Sequence, residues 1–129
     1  MICSLAKLCQ LFLFVCLFLL PCTIVDAKRP EYELTLKSHL FYPAQIIIPA
    51  NKKVKLVIFN QDSSVEEFDS FDLNREKVIF PQQKAIIFIG PLPAGEYEFF
   101  GEYHPDSARG KVIVVEHNEF IEQGGIDVN

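Results

Sequence analysis

From Glu31 onward, apolar and β-branched side chains recur in short runs separated by turn-forming residues, and none of the runs keeps the three-to-four-residue spacing of a long helix. Glu31–Lys37 (EYELTLK) alternates strictly around Leu34 and Leu36. It is followed by AQIIIP over 44–49, VKLVIF over 54–59, VIF over 78–80, AIIFI over 85–89, YEFF over 97–100 and KVIVVE over 111–116. Pro43, Pro49, Pro81, Pro91, Pro93, Gly90, Gly95 and Gly110 fall between or at the ends of these runs, where a missing N–H or an unusual φ does not break a ladder. The pattern predicts about seven short strands and an all-β sandwich or small barrel. Asp72–Lys77 (DLNREK) is long enough for one helical turn, and the polar stretch from Glu119 to Asn129 reads as a frayed tail.

The opening of the chain has a different texture. Lys7 is followed by ten unbroken apolar residues, Leu11–Leu20, then Pro21 and a small-residue end at Val25-Asp26-Ala27. That order predicts a secretory signal over 1–27, cleaved after Ala27, and places the domain 28–129 outside the cytoplasm. An uncleaved anchor over Leu8–Val25 is the rival; Gln10, Pro21 and Thr23 weaken it.

The split changes how composition is read. Residues 1–27 hold one of the 12 basic and one of the 17 acidic side chains, leaving 11 against 16 in the remainder, and they hold all four cysteines and the one methionine. A domain of that size has one core, no disulfide and no thiolate. Its acidic balance, with no basic run, argues against nucleic acid as a partner.

Candidate chemistry gathers in Glu66-Glu67-Phe68-Asp69-Ser70-Phe71-Asp72 and in Gly101-Glu102-Tyr103-His104-Pro105-Asp106. If Phe68 points inward, alternation puts Glu67 and Asp69 together on the opposite side. His104, Asp106 and Ser107 contain the residue types of a hydrolase triad, but they are nearly consecutive, and a nucleophile and its base need separate backbones. The chain is not expected to be an enzyme.

Several segments carry a family resemblance between Leu36 and Val115. They are FYPAQIIIPA over 41–50, VKLVIFN over 54–60, EEFDS over 66–70, DLNREK over 72–77, GPLPAGEY over 90–97 and GEYHPD over 101–106. In these the chain resembles a cupredoxin, and more closely the cupredoxin-like domains associated with bacterial periplasmic iron-uptake systems. The resemblance implies a Greek-key β-sandwich. In blue-copper members the last loop carries Cys, His and Met, and a further His follows the third strand. Here those places fall on Gly101, on His104, on a loop offering only Ser107, Ala108 and Arg109, and on Glu66 or Glu67. A blue type 1 copper site is therefore excluded.

What remains is an oxygen-rich set with one imidazole. Glu67, Glu102 and His104 are the expected ligands, with Glu66, Asp69 and Asp106 as alternatives or as groups that orient them. Such donors suit Cu(II), Fe(III), Mn(II) or Zn(II), with copper or iron the expected ion, and disfavour Cu(I), which prefers sulfur. His39 and His117 stand outside the set. The resemblance implies a role in metal uptake or homeostasis, with a membrane metal permease or another envelope protein as partner. A metal-free sandwich that docks to a membrane protein is the alternative.

Overall fold

The computed structural model describes residues 28–125, so the expected signal segment 1–27 and residues 126–129 lie outside it. The described residues form nine strands and one short helix. The strands are β1 (Glu31–Lys37), β2 (Leu40–Tyr42), β3 (Gln45–Pro49), β4 (Val54–Asn60), β5 (Glu66–Ser70), β6 (Arg75–Ile79), β7 (Lys84–Ile89), β8 (Gly95–Gly101) and β9 (Arg109–Val115); the helix is α1 (His117–Glu122). They build two sheets, ordered β2-β1-β4-β7 and β3-β9-β8-β5-β6. The β1–β4 and β3–β9 pairs are parallel and the others antiparallel. The all-β sandwich expected from the sequence is thus the fold, with nine strands in place of about seven.

The two additional strands have plain causes. β2 is three residues long, too short to show a period, and closes a hairpin onto β1 through Ser38 and His39. β5 is built from EEFDS, whose carboxylates hide its alternation. Glu66, Phe68 and Ser70 point inward, and Glu67 and Asp69 point out, as parity requires. The helical turn expected over Asp72–Lys77 is instead a tight turn across 71–74, closed by Asn74 N–H to Phe71 O at 3.2 Å, after which Arg75–Lys77 begin β6. Asn74 adopts a positive φ of 49°, which a helix would not accept.

The tail also departs from expectation. Glu119–Glu122 belong to α1, which packs on β3 and buries Phe120 to 5% exposure. The apolar Phe120 inside an otherwise polar stretch supplies the anchor. No helix among the described residues is long and apolar enough to cross a membrane.

Between the sheets lies one core, in which Phe41, Phe68 and Phe99 form an aromatic cluster with ring centroids 5.1 to 6.2 Å apart. Each sits two residues along its chain from a residue at one end of the sandwich: Phe41 after His39, Phe68 after Glu66, Phe99 before Gly101. Phe68 is fully buried. Phe68→Ala is expected to cost about 3–5 kcal/mol through lost burial and the cavity left behind, measured by denaturant unfolding.

Candidate metal centre

Three backbones bring the site together at the end of the sandwich opposite α1. Glu66 opens β5, Gly101 closes β8, and His104 lies in the loop between β8 and β9. The loop is tied by Gly101 N–H to Ala108 O at 2.8 Å, His104 N–H to Gly101 O at 3.1 Å and Ala108 N–H to His104 O at 2.9 Å. It is joined to β5 by Glu102 N–H donating to Glu67 O at 2.8 Å.

Glu66 is the centre of this arrangement, with 1% exposure. Its Oε1 accepts the backbone N–H groups of Glu67 (3.0 Å) and Tyr103 (2.9 Å), and its Oε2 accepts the Nδ1–H of His104 at 2.6 Å. A buried carboxylate needs such partners, because desolvation otherwise disfavours it. Gly101 leaves the space it occupies: a Cβ there would stand 2.7 Å from Glu66 Cδ and 2.8 Å from the Ala108 Cβ.

His39 arrives from the β1–β2 turn and lays its ring on that of His104, with centroids 3.6 Å apart and planes within 15°. Its Nδ1 is buried and makes no hydrogen bond; the nearest carboxylate oxygen, Asp62 Oδ2, is 3.5 Å away. Among the described residues, His39, Glu66 and His104 are the group whose ligand atoms converge, all within 4.8 Å of one another. Two imidazoles and a carboxylate form a mixed N/O donor set suited to Cu(II) or Zn(II).

The fit is close but not closed. Donors about 2.0–2.1 Å from a shared ion stand no more than about 4 Å apart. An ion also lies in the plane of each imidazole that holds it, and two stacked, near-parallel rings share no such point. Loading all three donors therefore requires the rings to leave their stack. The His39 side chain, 42% exposed, has room to turn.

The blue-copper donor set does not fit this end. The thiolate place is taken by Gly101, the thioether place by the buried Ala108 region, and no Cys or Met occurs after residue 22.

The other expected ligands lie elsewhere. Glu67 and Asp69 occupy the outer face of β5, where Asp69 is paired directly with Glu76 of β6. Glu102 and Asp106 are exposed on the loop. Glu67, through its hydrogen bond to Glu76 and then its charge, holds the Glu76 carboxyl above its usual range; partial desolvation, Asp69 and Glu102 add to this. The charge of Glu67 likewise pushes the Tyr103 hydroxyl up. So the expected set divides along the pleat: Glu66 and His104 meet inside, while Glu67, Asp69 and Glu102 form a repelling acidic patch outside. His39 is the residue that sequence reasoning set aside. Its signal was faint, a two-residue break between Lys37 and Leu40 that puts His39 two positions from Phe41.

A family model described as "Cupredoxin-like domain" matches residues 9–114. The uncharacterized protein RP394 of Rickettsia prowazekii (strain Madrid E) is 37% identical over 109 residues, covering 82% of this chain and 87% of that protein. Among solved structures, the periplasmic domain of cytochrome oxidase subunit II from Bradyrhizobium japonicum aligns with a TM-score of 0.62 at 12% identity, over 75% of this chain and 93% of that one. Auracyanin A, a blue copper protein of Chloroflexus aurantiacus, aligns with a TM-score of 0.60 at 11% identity, over 68% of this chain and all of the other. At these identities the structural likenesses speak for the fold.

Proposed function

This chain belongs to the cupredoxin-like family, and from that premise we propose that it is an extracytoplasmic binding protein that holds one copper-class divalent ion between His39, Glu66 and His104. The observation that carries the reading is a buried carboxylate bonded to one imidazole, on which a second imidazole is stacked with a buried nitrogen that makes no hydrogen bond. Auracyanin A, a blue copper protein, supports copper as the ion, and the order of divalent affinities favours Cu(II) at an N/O site. Iron, the ion of the resembling uptake systems, is the competing cargo. The role is metal uptake or homeostasis, with the ion handed to a membrane permease or another envelope protein. The neighbouring oxidase domain, itself periplasmic, supports the compartment. Binding, rather than blue-copper electron relay, suits a site without sulfur.

Equilibrium dialysis of the domain against Cu(II), Zn(II) and Fe(III), followed by elemental analysis, tests this. One Cu(II) per chain is expected, with no intense thiolate-to-copper absorption in the visible. Glu67→Ala should retain the ion and His104→Ala should lose it. Equal weak uptake by all three proteins would leave only unspecific attraction to acids, and a metal-free docking module would then be the better reading.

A further inference from the structure

His39 reaches the site on an unusual turn. Lys37 pairs with Leu40, so Ser38 and His39 form the whole loop of the β1–β2 hairpin, and both have positive φ, 53° and 56°. Two-residue hairpins favour this backbone, but they usually build it from Asn and Gly, because a Cβ in the left-handed region is strained. Neither residue here is of that kind.

What holds the turn is Asp62, more than twenty residues away in sequence. Its Oδ1 accepts Ser38 N–H at 2.6 Å, and its Oδ2 accepts His39 N–H at 2.9 Å. Asp62 is in turn fixed from behind. Its own N–H donates to Oδ1 of Asn60 at 2.9 Å, and Asn60 is fully buried, with its amide nitrogen donating to Ser64 O and Ile79 O. A strained backbone persists where its surroundings over-determine it, and here the surroundings are a single carboxylate anchored to the core.

We infer that Asp62 is a positioning residue of the ion site: its carboxylate clamps the Ser38–His39 turn so that the His39 imidazole is presented to Glu66 and His104. The inference rests on the ion-binding reading above. The clamp fixes the backbone of His39, whereas its ring, stacked on His104 and partly exposed, makes no hydrogen bond through Nδ1 that would oppose the turn about its own side-chain bonds that loading requires.

The test is Cu(II) electron paramagnetic resonance with affinity titration on the full domain, comparing the unaltered protein with His39→Ala, Asp62→Ala and Asp62→Ala combined with Ser38→Gly. The unaltered protein is expected to show coupling to two nitrogens, and His39→Ala to one. Asp62→Ala should resemble His39→Ala and bind Cu(II) about 10- to 100-fold more weakly, the usual effect of removing a group that orients a ligand. Glycine at 38 adopts positive φ without strain, so the double variant should regain the second nitrogen. In the ion-free protein the amides of Ser38 and His39 should exchange with solvent faster in Asp62→Ala. Should that variant not fold, Asp62→Asn, which keeps one acceptor oxygen, is expected to show partial loss of the second nitrogen. A two-nitrogen spectrum with unchanged affinity in the Asp62 variants would overturn the inference while leaving the ion site standing, and so would failure of Ser38→Gly to rescue. An unaltered protein that binds no Cu(II) would instead overturn the site itself, and the clamp's purpose with it.

Discussion

Replacing Glu66 by glutamine is expected to weaken Cu(II) binding by at least about 100-fold while leaving the fold intact, because removing the charge from a carboxylate in contact with a bound cation costs several times 1.4 kcal/mol. The amide keeps the size of the side chain and an oxygen to accept the N–H groups of Glu67 and Tyr103, but it presents no anionic donor toward His104. Alanine at the same place should lose binding altogether and also cost about 2 kcal/mol of stability, since it strands the donors that Glu66 satisfies. The figure is not larger because the His104 side chain is 33% exposed, so water can reach its ring, and because a buried carboxylate contributes its own desolvation cost. Titration calorimetry and urea unfolding read the two effects separately. Full Cu(II) affinity in Glu66→Gln, together with its loss in Glu67→Ala, would move the ion to the outer patch.

Gly101→Ala should be nearly as damaging without touching any donor atom. In an ordinary strand this change is mildly favourable, because glycine loses more backbone freedom on folding. At 101 the added Cβ falls under 3.0 Å from both the carboxyl carbon of Glu66 and the Cβ of Ala108, and both neighbours are buried. Overpacking of this kind costs about 1–3 kcal/mol. The expected result is a loss of about 2–3 kcal/mol in urea unfolding together with weaker Cu(II) binding, as Glu66 is pushed from its place. In the Glu66→Ala background the same change should cost at least about 1 kcal/mol less, since one of the two collisions is gone. Equal penalties in both backgrounds would show that the crowding comes from Ala108 alone.

The sandwich was legible in the chain wherever a strand has one buried and one wet face, as in β1 and β7, or carries an unbroken apolar run, as in Leu56–Phe59 of β4 and Val112–Val115 of β9. The meeting of the 66–72 and 101–106 segments was legible too, because the family pattern puts both at one end. What sequence could not reveal is which carboxylate of the pair turns inward. Alternation from Phe68 implies that Glu66 shares its face, yet charge is ordinarily assigned to the solvent side, and only the three donors from Glu67, Tyr103 and His104 make the inward choice tolerable. His39 was harder still. Its direction depends on a left-handed turn held by Asp62, a contact between residues 23 apart that no local pattern announces.

The aromatic trio beneath the site gives the centre an independent footing. Phe41, Phe68 and Phe99 each lie two residues inward from His39, Glu66 and Gly101, so the aromatic layer that packs the sheets is separate from the residues at the rim. At the rim itself Gly101 and Glu66 are matched, the small residue making room for the carboxylate across from it. Exchanging one rim residue therefore calls for a matching change opposite it, while the aromatic layer below can stay as it is.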